Sequence, residues 1–144
     1  MKTIAIMLVI FAVTCSGCCT HQNIYSDKGK KYRFILTTKI KNFKPLNSHE
    51  SAQIDEGGKI YYIAKLFDLK PNAIHKYRCR IIDQAGNIVT NINNEFIPKA
   101  SYYIQKCGTT PNPHTDESGI WKFEGYINEK LVVNESRTIT LRKK

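Results

Sequence analysis

The feature that most restricts the fold of this chain is an alternation of apolar and polar side chains that recurs in one short run after another. From Tyr32, the residues Tyr32, Phe34, Leu36, Thr38 and Ile40 fall on one side, and Arg33, Ile35, Thr37 and Lys39 on the other. Successive side chains of a strand point to opposite faces, so this period of two, with one face largely apolar, predicts a half-buried β-strand. The pattern returns over residues 59–69 after the Gly57-Gly58 break, with Ile60, Tyr62, Ala64 and Leu66 together. Over residues 75–83 it places Tyr77, Cys79 and Ile81 inward against Lys76, Arg78 and Arg80 outward. Asp83-Gln84-Ala85-Gly86-Asn87 has the residues of a chain reversal, and residues 88–91 return beside the previous run as a hairpin. Residues 101–106 form a β-branched and aromatic run. Trp121, Phe123, Gly125 and Ile127 then alternate with Lys122, Glu124 and Tyr126. Asn128-Glu129 is a two-residue turn into a last, bulged strand, residues 131–133 and 137–141. About seven strands and no amphipathic helix predict an all-β chain, a single antiparallel β-sandwich. Residues 42–53 fit a loop, a short edge strand or one helical turn.

The 144 residues suit one domain, and 42% hydrophobic residues suffice for a core. The start of the chain is of another kind. Lys2 precedes an apolar run from Ile4 to Thr14, closed by the small residues Cys15, Ser16, Gly17 and Cys18. That is the layout of a cleaved secretory signal peptide, too short for a comfortable membrane span. Ser16-Gly17-Cys18 resembles the end of the bacterial lipobox, in which small residues precede a cysteine that is acylated and becomes the new N-terminus. Cys15 stands where that family usually has Leu. The resemblance implies lipidation at Cys18, and Cys19 after the acceptor, in place of Asp, leans towards the outer membrane by the sorting pattern of enteric lipoproteins. Ordinary signal-peptidase cleavage, giving a secreted domain, is the alternative. The expected organisation is a signal peptide over residues 1–17, a lipid-proximal tether over 18–31 and a β-sandwich over 32–144.

Charge sets the choice of partner. The formal charge is +10, and loss of the leader removes only Lys2. Such a surface favours phosphate-rich or acidic partners: membrane headgroups, lipopolysaccharide phosphates or cell-wall polymers. Lys28, Lys30, Lys31 and Arg33 lie next to the tether, within reach of anionic headgroups. Zinc-finger spacing, an RNP-like aromatic motif and an arginine-rich stripe are all missing from the sequence, which argues against nucleic acid.

The run Ser118-Gly119-Ile120-Trp121-Lys122-Phe123-Glu124-Gly125-Tyr126-Ile127-Asn128-Glu129-Lys130-Leu131-Val132 resembles the closing hairpin of bacterial extracytoplasmic immunoglobulin-like domains, in which a Gly before a Trp opens a strand, a turn follows and a final strand closes the sheet. The turn at residues 83–87 is also common in that group. The resemblance extends over residues 59–141 and implies a fold; the superfold hosts many functions and brings no catalytic set with it.

The sulfur and histidine chemistry is sparse. With Cys15 removed and Cys18 acylated, Cys19, Cys79 and Cys107 remain, and in an oxidising compartment Cys79 and Cys107 are expected to form a disulfide. Two separate thiols are the alternative, since the direction of Cys107 at a strand edge is open. A Cys107 nucleophile served by His114 would need an imidazole that a Pro-containing loop does not position. His21, His49, His75 and His114 are scattered, without metal-ligand spacing, and read as surface histidines. No cofactor is expected. Residues 107–119 read as a thirteen-residue polar loop, and loops of that length are often functional. Thr109, Asn112, His114 and Asp116 are its candidate contact residues. The expectation is a non-catalytic, lipid-anchored envelope protein that presents sheet edges or end loops to a protein or envelope polymer. A structural subunit of an envelope or secretion assembly is the alternative, and a thiol-dependent enzyme is less favoured.

Overall fold

Alternation becomes two packed sheets in the computed structural model, which describes residues 31–42 and 44–143. The expected signal peptide, Cys18, Lys28 and Lys30 lie outside the described residues. In chain order the strands are β1 (Tyr32–Thr37), β2 (Ile40–Lys41), β3 (Lys44–Pro45), β4 (Ser51–Asp55), β5 (Ile60–Leu66), β6 (His75–Ile82), β7 (Ile88–Phe96), β8 (Tyr103–Thr109), β9 (Gly119–Ile127) and β10 (Lys130–Arg142). One sheet has the order β1-β5-β8 and the other β4-β10-β9-β6-β7, while β2 and β3 form a small separate hairpin. This all-β sandwich has the immunoglobulin-like arrangement.

The inward residues of the alternation make the core. Tyr62, Leu36, Ile60 and Leu66 from the first sheet meet Trp121, Phe123, Tyr77, Ile81, Val133 and Ile139 from the second, all essentially without solvent contact. Phe34 and Tyr62 of the first sheet meet Phe123 of the second in tilted and edge-on contacts, with ring centroids 5.4 to 6.0 Å apart. Cys79 of β6 and Cys107 of β8 are joined in a disulfide that bridges the two sheets. Both lie within this core, at 0% and 1% exposure.

The structure departs from the sequence reading in four places. The uncertain stretch contains an edge strand, β4, which pairs parallel with β10, Ser51 opposite Thr138 and Asp55 opposite Arg142, so the sandwich is not wholly antiparallel. Only Ala52 and Ile54 of β4 are apolar and inward, too short a pattern to read alone. Strand β7 runs to Phe96, five residues beyond the predicted return, because its ladder with β6 continues through Asn91, Asn93, Asn94 and Glu95. Polar residues of low strand propensity are held there by pairing. Strand β8 is shifted, from Tyr103 to Thr109, which leaves residues 110–118 as the loop. His75 is buried rather than on the surface. Its Nε2 donates to the Lys70 carbonyl at 3.0 Å, so Nδ1 is left to accept from the Asn128 amide at 3.2 Å, and its ring stacks on Phe96.

The predicted turn and bulge at the last hairpin are present. Asn128 and Glu129 have φ of 47° and 69°, the left-handed pair that a two-residue hairpin needs, and the register of β9 with β10 shifts between Leu131 and Val133.

A polar bond crosses the middle of the core. The Tyr62 hydroxyl of β5 donates to the Glu124 carbonyl of β9 at 2.9 Å and lies 2.6 Å from the Tyr77 hydroxyl of β6. Each phenol has one proton, so Tyr77 is the donor to Tyr62. Burial above all, then the neighbouring Tyr77, pushes the Tyr62 phenol far above its usual pKa; burial does the same to Tyr77, partly offset by its bond to Tyr62. Gly125 makes room for the pair, since a Cβ there would come within 3.0 Å of the Tyr77 hydroxyl and 3.1 Å of Val133. The proton order makes the two hydroxyls unequal. Tyr62→Phe removes both bonds at once and leaves the buried Tyr77 hydroxyl without its acceptor, so it should cost about 2 to 3 kcal/mol, whereas Tyr77→Phe removes one bond and should cost about 1 kcal/mol. Urea unfolding of the two variants checks the ranking.

The strand ends sort into two groups. Tyr32 lies opposite Leu66, Leu66 opposite Tyr103, and His75 opposite Phe96. The point where the chain enters β1 therefore shares one end of the sandwich with segments 67–74 and 97–102 and with the Asn128-Glu129 turn. Segments 56–59, 83–87 and 110–118 are at the far end.

Candidate functional site

The far end is built around a buried carboxylate. Asp83, 3% exposed, closes the β6–β7 turn: its N–H donates to the Asn87 carbonyl at 3.0 Å. Its Oδ1 accepts the Asn87 N–H at 2.8 Å, and its Oδ2 accepts Asn87 Nδ2 at 2.9 Å. The same Oδ2 accepts the N–H of Glu117 at 3.0 Å and so fastens the 110–118 loop to the turn. The Glu117 carbonyl in turn accepts the indole N–H of Trp121 at 2.6 Å. One residue of the loop is thus held from both sides of its backbone by groups rooted in the core.

Next to it, Gln84 Oε1 accepts the Ile120 N–H at 2.7 Å, and Ser118 Oγ accepts the Leu141 N–H at 2.8 Å. Gly119, at φ +137°, is where the chain turns into β9; a Cβ there would lie 2.8 Å from the Gln84 side chain. The loop base is therefore rigid and its tip projects.

The candidate contact residues have different fates. Thr109 is the last residue of β8, opposite Ile60, and not part of the loop. Asn112 and Asp116 shape the loop itself: Asn112 Oδ1 accepts the His114 N–H at 3.0 Å, and Asp116 Oδ2 accepts the Asn112 N–H at 2.7 Å. His114 reaches across the end to Glu56, Nε2 to Oε1 3.6 Å, with both side chains largely open to solvent. Asn112, His114 and Asp116 are brought together, and the exposed Ile88 and Ile120 belong to the same end. Cys107 is buried and bonded to Cys79, so it carries no thiol for His114 to serve. Lys31 is paired with Asp68 at 3.8 Å at the opposite end, where Arg33 also stands.

Asp83 was not among the contact residues expected from sequence, although its place at the head of a turn-forming pentapeptide was visible. Burial pushes its carboxyl up, but the N–H donors from Glu117, Asn87 and Ala85 and the Asn87 amide outweigh this and hold it below the usual carboxylate range. The anchoring is therefore complete at neutral pH and lost as pH falls through the unfolded-state carboxylate range towards the lower folded value. Asp83→Asn should flatten that acid limb of the stability curve and cost about 1 to 2 kcal/mol at neutral pH. Thermal unfolding across an acid series reads both.

A second feature that sequence reasoning missed is a shallow cavity of about 320 Å³ near the entry end of β6 and β7, lined by Lys76, Arg78, Asn94, Glu95 and Glu129 among others. Arg78 lies over the Tyr126 ring at 4.2 Å, and Arg80 pairs with Glu124 at 3.5 Å on the same outer face. Among the described residues, no three His, Cys, Asp or Glu side chains come together to hold a metal ion.

The class this architecture defines is the immunoglobulin-like β-sandwich. No known family and no curated protein matches the sequence. Among solved structures, the chain is similar to an immunoglobulin-like protein from Pseudomonas aeruginosa, at 11% identity and a TM-score of 0.44 over 75% of this chain and 90% of that one. It is also similar to the CARDB domain of a Pyrococcus furiosus protein, solved in complex with di-metal ions, at 11% identity and a TM-score of 0.41 over 78% and 97% of the two chains.

Proposed function

We propose that this is a non-catalytic, lipid-anchored protein of a bacterial envelope whose sandwich holds the 110–118 loop, and the β7 edge running up to it, towards another macromolecule. The observation that carries this reading is polarity: the chain enters β1 at one end of the sandwich, and the braced loop projects from the other. A domain moored through the residues before β1 would carry its loop outward. Strand β7 adds a second contact mode. It is the outer strand of its sheet, nine residues long, free of Pro, Gly and Lys, with Glu95 as its one charge. A long, weakly charged edge pairs readily with an extended segment through main-chain hydrogen bonds.

The anchor and the contact surface are tested separately. Growth with a clickable fatty acid should label the wild-type chain and not Cys18→Ala; an unlabelled wild type overturns the anchor. A photoreactive residue at Thr115 should trap an envelope component in intact cells, and the same residue at Asp68 should not trap it. Equal capture from both positions would overturn the assignment of the contact to the far end.

A further inference from the structure

The entry end carries an apolar and basic surface that neither the core nor the 110–118 loop explains. Segments 67–74 and 97–102 are tied together by the Leu69 N–H to the Ser101 carbonyl at 3.0 Å and the Asn72 N–H to the Pro98 carbonyl at 2.9 Å. Ile74, Ile97, Tyr102 and Ile104, which border them, are between 46% and 66% exposed. Ile74 and Ile97 extend the His75–Phe96 pair by one residue on each strand and so stand near each other. With Leu131 at the adjacent hairpin, they are five of the eight large hydrophobic side chains most exposed among the described residues. Isolated exposed aliphatics are ordinary, but a concentration at one end of a domain marks a contact surface.

Cations are interleaved with them. Lys65 lies over the rings of Tyr102 and Phe67 at 4.3 and 5.4 Å, and Lys70 and Lys99 are exposed on the two tied segments. Residues 69–74 and 97–104 contain no acid. Of the described acids at this end, Asp68 is paired with Lys31, while Glu95 and Glu129 line the cavity beside Lys76 and Arg78. Exposed isoleucines, a tyrosine at their margin and lysines without opposing carboxylates among the described residues match a membrane–water interface: apolar side chains enter the acyl boundary, and ammonium groups meet phosphate. The thirty residues before the described structure, with their apolar run from Ile4 to Thr14 and Cys18, join the sandwich here.

We propose that segments 67–74 and 97–104 form a membrane-contact surface that seats the entry end of the sandwich on an anionic lipid headgroup layer. Seating fixes the orientation of the domain, so that the far end is presented at a constant height above the headgroups. The anchored reading is needed only to deliver this surface to a membrane; the contact itself is made by the folded domain.

Hydrogen–deuterium exchange on the full chain, reconstituted into vesicles of phosphatidylcholine with about one third phosphatidylglycerol, tests this. Exchange in 67–74 and 97–104 should be roughly tenfold slower than on phosphatidylcholine alone, with 110–118 unchanged. The double variant Lys70→Glu/Lys99→Glu should remain with the vesicles, keep its melting temperature and lose the protection. Three results overturn the proposal while leaving the anchor intact: a vesicle-bound chain without protection in these segments, protection that is equal on neutral vesicles and indifferent to the lysine changes, or protection that appears without lipid and grows with protein concentration, which would point to self-association. A chain that does not float with vesicles overturns the proposal and the anchored reading together.

Discussion

Replacing Cys79 and Cys107 together by alanine is expected to lower the unfolding free energy by about 3 to 4 kcal/mol. The two cysteines are 28 residues apart, and closing a loop of that length removes about this much chain entropy from the unfolded state. Their position adds to the effect. The bridge spans the two sheets inside the core, so its loss frees β8, a sheet-edge strand, from β6, an interior strand of the other sheet. A small domain holds only about 5 to 15 kcal/mol in total, so the variant should unfold at a markedly lower urea midpoint. Wild-type protein in strong reductant should follow the same curve. If wild type and double variant coincide under oxidising conditions, the bridge contributes nothing.

Trp121→Ala is expected to be at least as costly, about 3 to 5 kcal/mol, because it empties the largest fully buried side-chain volume in the sandwich. The consequence at the far end is more specific. The indole N–H is one of the two holds on Glu117, and the Asp83 carboxylate is the other. Trp121→Phe keeps most of the volume and removes that hold alone, so it should cost about 1 to 2 kcal/mol and speed amide exchange across 110–118 while the strands stay protected. Combined with Asp83→Asn, the penalties should not add, because both act on the backbone of one residue. Strict additivity would show that the loop is fixed elsewhere.

The particular residues show why some of this could be read directly. Inward and outward sides of β1, β5, β6 and β9 follow from a period of two, which needs no partner strand to be recognised; the bond between Cys79 and Cys107 was expected, but the direction of Cys107, which the sequence left open, was decided by the fold. The Asn128-Glu129 turn was legible because Asn tolerates positive φ. Strand β4 was not. Its two inward residues acquire a strand role only through β10, more than eighty residues later. The polar half of β7 was hidden for the same reason. Of the contact residues read from sequence, Asn112, His114 and Asp116 share one loop, but the spacing of polar residues could not tell which side chains build that loop and which face outward. His75 looked like any exposed histidine until Lys70 and Asn128 supplied its partners.

What the sequence settles by itself is periodic and local: an all-β chain, the faces of its longer strands, its turns, and a basic surface, all consequences of neighbouring residues under the geometry of an extended backbone. Which strands lie side by side, the proton order between Tyr62 and Tyr77, the double hold on Glu117 and the division of the sandwich into an entry end and a far end were decided by tertiary structure alone. Each needs at least one pair of groups distant in sequence to meet, and the free energy of such a meeting belongs to the pair and is written in neither segment.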